Sequence, residues 1–289
     1  MIRLLTVALL VCVAFAGTEA APQSQKDYDI NTALMKVTFK LEGRNAQGQP
    51  TLGTAFIMGR PYSHPPANQP QKSRFVLITA AHVLEEMQGD TAILHLRRKM
   101  DANNWVRTPF PVPLRANGQP LWKKHPNADV AVMYIALPKE DVPIEQFSTE
   151  LLADDKILEQ YEVHPGDELK CLGYPLGLES NNAGFPVLRS GKIASYPLLP
   201  TESTRTFLFD FKVFKGNSGG PVYIEDRNRV YQGNFTVGNH IQFLVGLVSG
   251  EAEVNLPYSQ LQLGLAVVVH ASLIREAINT LPLPDTLPD

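Results

Sequence analysis

Cysteine is nearly absent: the chain carries two, Cys12 and Cys171. Cys12 lies in an N-terminal stretch expected to be removed, so a mature monomer would keep only Cys171 and could form no internal disulfide. That excludes a stapled scaffold and leaves the hydrophobic core to hold the fold, a task within reach of some 265 residues. Cys171 sits in the apolar run Leu169-Lys170-Cys171-Leu172 and reads as a buried structural thiol. Long hydrophobic runs are also missing. The best, Leu4 to Ala16, is broken only by Thr6, and falls short of the roughly 20 residues needed to cross a bilayer. Charge is sparse and balanced, with 19% charged residues and a net charge of −3. There is no basic block, so neither nucleic acid nor an anionic membrane surface is expected as a partner. There is no internal repeat. The spacing of His125 and Asp129 suits a helical metal pair, but Pro126-Asn127 between them argues against that helix. No metal or other cofactor is expected.

What the N-terminus does have is the pattern of an export signal. Arg3 supplies a positive charge, the apolar run follows, and Ala14-Phe15-Ala16 and Thr18-Glu19-Ala20 each offer a small-x-small cleavage site. Residues 1–20 are therefore expected to be a signal peptide, with the mature chain secreted or periplasmic and not stably held at a membrane. An uncleaved anchor is the alternative.

From about residue 35 to 270, short β-rich runs alternate with Gly, Pro and Asn clusters, the pattern of an all-β protein. Met35 to Leu41, Gly53 to Gly59, Phe75 to Thr79, Ala92 to Leu96 and Asp129 to Ala136 form a first group. Glu168 to Gly173, Phe207 to Val213, Pro221 to Glu225, Gln242 to Ser249 and Gly264 to Val269 form a second. Two stretches read as helical: Ile144 to Tyr161, and His270 to Thr280 with apolar residues at helical spacing. The expected organisation is a first β-unit over 34–140, a connector over 141–165, a second β-unit with a closing helix over 166–280, and a disordered tail over 281–289. Residues 60 to 74 hold four prolines and read as a surface loop. Two histidines outside the motifs read blandly: His64 is solvated in that loop, and His270 helps to cap the last helix. Asn234-Phe235-Thr236 is a glycosylation sequon that matters only in a eukaryotic source.

Three short motifs carry the chemistry. In Gly216-Asn217-Ser218-Gly219-Gly220-Pro221, glycines flank a serine between two strand-like runs. They permit a tight turn whose backbone N–H groups converge on one point, as an oxyanion requires; a plain hairpin turn is the other reading. Thr79-Ala80-Ala81-His82 ends an apolar strand, and its small alanines leave space beside the imidazole, although a lone histidine there is more often structural. Ala128-Asp129-Val130-Ala131-Val132 places a carboxylate before an apolar strand, where it could orient a histidine or merely cap a turn.

Taken together and in this order, with separations of 47 and 89 residues, the motifs resemble the chymotrypsin-like serine proteases, and their contexts resemble the bacterial HtrA-like branch. Gly53-Thr54-Ala55-Phe56-Ile57, Gly173-Tyr174-Pro175-Leu176-Gly177, Gly191-Lys192-Ile193 and Gly246-Leu247-Val248-Ser249-Gly250 extend the similarity over about 34 to 280. The resemblance implies two six-stranded antiparallel β-barrels with a C-terminal helix. It implies Ser218 as nucleophile, His82 as general base, Asp129 behind the histidine, and the N–H groups of Gly216 and Ser218 as the oxyanion hole. Ser249-Gly250 would pair with the substrate backbone, and polypeptides would be the substrates. Lys212 would lie near the base of the specificity pocket, disfavouring cleavage after Arg or Lys, unless it turns to solvent. Gly250 and Gly264 would keep the pocket open for uncharged, medium-sized apolar residues.

Two departures stand out. Members activated by insertion of a newly cut N-terminus carry an aspartate just before the serine. Here that residue is Asn217, so no such switch is expected. Only Leu281 to Asp289 follow the last helix, so a stand-alone protease domain without a PDZ domain is expected. The competing readings are a catalytically inactive, peptide-binding relative and an esterase using the same triad.

Overall fold

The computed structural model describes residues 29–63, 72–101, 104–138, 147–233, 240–256 and 259–284. The expected signal peptide, Cys12, His64, the sequon and residues 285–289 lie outside them. Among the described residues, helix α1 (Ile30–Val37) comes first, fifteen strands follow, and helix α5 (Ala271–Asn279) is the last helix. The first nine strands are β1 (Thr38–Arg44), β2 (Pro50–Pro61), β3 (Ser73–Thr79), β4 (Thr91–Lys99), β5 (Trp105–Pro113), β6 (Arg115–Ala116), β7 (Gln119–Pro120), β8 (Lys123–Lys124) and β9 (Ala131–Tyr134). A short helix, α2 (Ala81–Glu86), follows β3. The later strands are β10 (Glu168–Gly173), β11 (Val187–Lys192), β12 (Thr206–Phe209), β13 (Pro221–Asp226), β14 (Ile241–Leu256) and β15 (Ser259–His270). Helices α3 (Asp155–Gln160) and α4 (Thr201–Thr204) precede β10 and β12.

Two large antiparallel sheets result. The first runs β5-β4-β1-β2-β3-β9-β8 and the second β11-β10-β13-β14-β15-β12, with β6 and β7 as a separate ladder. An antiparallel bridge between Ile193, just past β11, and Phe209 of β12 joins the edges of the second sheet, which therefore closes with six strands. The first sheet has seven strands rather than the expected six, because the two-residue β8 adds to β9. It curls with β5 and β8 as its edges.

Edge position explains β5, a strand the sequence pattern hides. Pro109, Pro111 and Pro113 fall at alternate positions, and the strand pairs only with β4. The missing N–H groups can then face away from the ladder, the one place a sheet tolerates them. The run Met35 to Leu41 is likewise not one strand. Asp29 caps α1 by accepting from the Asn31 N–H at 3.1 Å, and Ile30, Leu34 and Val37 bury one helical face. β1 begins only at Thr38. The expected helix over 144–161 is also shorter: a 3₁₀ turn at Thr149–Leu151 and then α3. Between them the chain is extended, because Leu152 bridges to Leu244 of β14. Phe207 to Val213 is strand only as far as Phe209.

One hydrophobic core cluster is continuous across the two sheets. Phe39, Phe56, Ile57, Val76 and Val132 from the first pack with Leu172, Tyr223 and Leu247 from the second. Leu273, Ile274, Ala277 and Ile278 of α5 are buried on the same cluster, as their spacing predicts. A second cluster, with Phe207, Phe209 and Val222, fills the closed sheet. Cys171 belongs to it at 1% exposure, and burial pushes its thiol pKa up to about 12.

Candidate active site

The three motifs meet where the two sheets face each other. β3 ends at Thr79, and His82 falls in the first turn of α2 rather than at a strand end. Asp129 lies in the turn that leads into β9. The carboxylate accepts from His82 twice: Oδ1 takes the backbone N–H at 2.9 Å, and Oδ2 takes ring Nδ1–H at 2.7 Å. With Nδ1 carrying its proton to Asp129, Nε2 is the free lone pair. A third donor, Ser249 Oγ, reaches Asp129 Oδ2 at 2.6 Å. Burial opposes protonation of His82, but the hydrogen bond and charge of Asp129, aided by Glu86 and Glu85, outweigh it and raise the imidazole pKa above 6.5. Burial likewise pushes the Asp129 carboxyl upward, yet the donors from His82 and Ser249 and the imidazole charge hold it below its ordinary value.

Ser218 joins this group through Ser249. Its hydroxyl donates to the Ser249 carbonyl at 3.3 Å. Ser249 can serve both partners because it is the extra residue at a bulge: Val248 pairs with Val268 and Gly250 with Val267, leaving Ser249 unpaired between them. The sequence assigned Ser249 to the substrate edge; its bond to Asp129 is additional, and no local motif announces it.

The turn around Ser218 is clamped from every side. Gly216 and Gly219 have φ of +97° and +84°, a region costly for other residues. A Cβ on Gly216 would collide with the Tyr174 carbonyl, and one on Gly219 with the Thr54 carbonyl. Asn217, 1% exposed, holds the turn from within: its Oδ1 accepts from the Phe214 N–H at 2.9 Å, and its carbonyl accepts from the Gly220 N–H at 2.9 Å. Thr54 of β2 holds it from below. Its N–H donates to the Ser218 carbonyl at 2.9 Å and its hydroxyl to the Gly216 carbonyl at 2.6 Å. Thr79 Oγ1 donates in turn to the Thr54 carbonyl at 2.7 Å. These two threonines stood in quoted motifs without a role. Among the hydrogen bonds of the described residues, neither the Gly216 nor the Ser218 N–H has a protein acceptor. Both remain free to bind a ligand oxygen.

The remaining predicted residues split. Lys212 is exposed and, with Gly264, lines a cleft of about 630 Å³ whose walls include Glu251, Glu253 and Gln262. Glu251 is fixed there by accepting from the Gly264 N–H at 3.1 Å. Open space surrounds the Cβ direction of both Gly250 and Gly264. The cleft is thus open, and its walls are mixed: charges of both signs beside the apolar side chains of Leu261 and Leu263. Two histidines fall outside the site. His125 is buried, with Nδ1 accepting from the Asn127 N–H at 3.1 Å and Nε2 bonded to Glu276 at 3.0 Å. His270 precedes α5 but makes no side-chain cap bond; it is 1% exposed, its ring tilted 51° against that of Phe207.

Two facing antiparallel sheets, a closing helix, and a serine, histidine and aspartate gathered between them define the class: a chymotrypsin-like fold with the residues of a serine peptidase. The chain belongs to the trypsin-like peptidase domain family, whose model matches residues 53–231. Solved structures with similar chain traces include a thermostable serine protease from an extremophilic microorganism, at 14% identity, covering 85% of this chain and 96% of that one, with a TM-score of 0.45. The protease Anisep from Arthrobacter nicotinovorans is 16% identical, with coverage of 86% and 96% and a TM-score of 0.44. The MamO protease domain from Magnetospirillum magneticum is 17% identical, with coverage of 88% and 100% and a TM-score of 0.44. No curated protein sequence matches the chain.

Proposed function

We propose that the protein is a serine endopeptidase acting through an acyl-enzyme. The observation that carries this reading is the grip of Asp129 on both the ring and the backbone of His82, with Ser249 joining that pair to Ser218. It fixes the tautomer in which Nε2 accepts a proton, and a serine hydroxyl needs such a base at neutral pH.

Ser218 Oγ attacks the peptide carbonyl, forming the C–O bond as its proton passes to His82 Nε2. The oxyanion lies against the Gly216 and Ser218 N–H groups. The C–N bond then breaks, and the imidazolium gives its proton to the departing amine. Water, deprotonated by the same nitrogen, cleaves the ester and restores Ser218. Asp129 stays ionised and stabilises the imidazolium. The acyl-side backbone lies along Ser249-Gly250 as an added strand. Side-chain selection falls to the cleft of Lys212, Glu251 and Gly264, whose walls combine charges of both signs with Leu261 and Leu263. Export, giving a secreted or periplasmic mature chain, is part of the same proposal, and N-terminal sequencing of the mature chain, beginning after Ala16 or Ala20, tests it.

A cleavage profile on a proteome-derived peptide library tests the function. Cuts inside peptides, abolished in Ser218→Ala, support an endopeptidase. Activity on simple esters alone would favour the esterase reading.

A further inference from the structure

Arg97 is a fully buried cation with no carboxylate in ion-pair contact among the described residues. It lies in β4 at 1% exposure, and burial drives its pKa down. A charge removed from water is costly unless its donors are met. Five neutral acceptors meet its two terminal nitrogens, while Nε–H has no hydrogen-bond partner among the described residues. One terminal nitrogen donates to the carbonyls of Met35, Lys36 and Thr38 at 3.0, 3.0 and 2.7 Å. The other donates to the Tyr174 hydroxyl at 3.1 Å and the Gly184 carbonyl at 2.8 Å. The planar group lies between the rings of Phe39 and Phe185, each centroid 4.5 Å away, an arrangement that itself favours a cation. Arg97 thus sits at the C-terminus of α1, where a positive charge complements the helix dipole, and ties that helix to the segment 174–185.

That segment abuts the nucleophile turn. Tyr174 is fully buried, and its hydroxyl lies within hydrogen-bond reach of the Thr38 and Gly184 carbonyls, at 3.1 and 3.0 Å, with one proton to give to either. Its own carbonyl is the group that a Cβ on Gly216 would strike. Two residues on, the Leu176 N–H donates to the Lys215 carbonyl at 2.7 Å. Lys215 shares with Gly216 the peptide group whose N–H has no protein acceptor among the described residues. Leu176 holds φ at +54°, a strained value for a non-glycine residue. One contact chain therefore runs from α1 through Arg97 and Tyr174 to the Gly216 peptide.

We propose that Arg97 and Tyr174 are positioning residues for the Gly216 peptide, and that the packing of α1 onto Arg97 sets the oxyanion turn through this chain of contacts. The proposal rests on the serine-protease reading. It assigns no contact with substrate to either residue; both act through the Tyr174 and Leu176 backbone.

Tyr174→Phe removes one hydroxyl and keeps the ring, and Arg97→Lys keeps the charge but loses the fork. Both are made in the full chain. The rate at which a fluorophosphonate labels Ser218 reports on the turn, because its P=O oxygen occupies the oxyanion position. The rate is expected to fall roughly 10- to 100-fold, the range for a misplaced catalytic donor. Binding of fluorescent casein, measured in a Ser218→Ala background, is expected to stay within about twofold. The acid midpoint of the labelling rate should not move, since His82 and Asp129 are untouched. Labelling within twofold of wild type in folded Tyr174→Phe overturns the proposal, as does a loss that casein binding shares. If Arg97→Lys does not fold, Tyr174→Phe alone decides. Failure of wild type itself to label is a different result, and sinks the protease reading along with this one.

Discussion

His270 is a buried histidine whose ring nitrogens both lack a hydrogen-bond partner among the described residues. Desolvation by burial, only weakly opposed by Asp155, lowers its pKa from 6.5 to about 4. A depressed histidine pKa means that the unfolded chain takes up a proton between pH 6.5 and 4 while the folded one does not. Stability from this residue is therefore intact above pH 6.5 and is lost as pH falls toward 4. The full difference of about 2.5 pKa units corresponds to about 3 kcal/mol, and the part reached at pH 5 to about 2 kcal/mol. His270→Leu removes the titration and leaves an apolar side chain beside Phe207. Urea unfolding of both proteins at pH 7.5 and 5.0 isolates the effect, because Glu225, Asp129 and the other carboxylates titrate alike in the two. Wild type is expected to lose about 2 kcal/mol more than His270→Leu over that interval. At pH 7.5 the variant should be at least as stable, since two unsatisfied polar atoms disappear. Equal losses in the two proteins would refute the reasoning.

Four further outcomes follow from the site and core. Because Asp129 raises the His82 pKa, the base form is lost as pH falls through a value above 6.5, so the acid limb of kcat/KM should have its midpoint above 6.5. Asp129→Asn should keep the fold by circular dichroism and lower kcat about 10⁴-fold, through the wrong tautomer; a near-normal rate would remove Asp129 from the triad. Gly216→Ala adds a Cβ against the Tyr174 carbonyl at a left-handed φ, and should lower the thermal midpoint and activity together; an unchanged midpoint would contradict the clamped turn. Cys171 should ignore a thiol reagent such as DTNB in the native protein and react only on unfolding, since the buried thiol scarcely ionises.

Local pattern carried the reading furthest where one element met one rule. Glu168–Gly173 is a strand bounded as its alternation indicates, and α5 buries the residues its spacing picked out. Legibility failed where a neighbour decides. β5 holds three prolines and is a strand only because β4 offers an edge. α1 runs into β1 without a break, so the β-rich Val37 to Leu41 hid the helix end. At the site, Gly216-Asn217-Ser218-Gly219-Gly220 could be read because its glycines answer to local geometry. The bulge that turns Ser249 toward Asp129 depends on the register between β14 and β15, which no run of residues encodes alone. Arg97 was the least visible of all. In Leu94-His95-Leu96-Arg97-Arg98 an arginine looks solvated, and only the folded chain brings five acceptors and two rings around it.

The central claim is that Ser218 is a nucleophile activated by His82 and Asp129. Its most direct test is to treat the folded mature protein with a fluorophosphonate and locate the adduct by peptide mass spectrometry. The account predicts a single adduct on Ser218, formed in wild type, absent in Ser218→Ala and strongly slowed in His82→Ala. No adduct on correctly processed wild type, or an adduct that persists in Ser218→Ala, would contradict it.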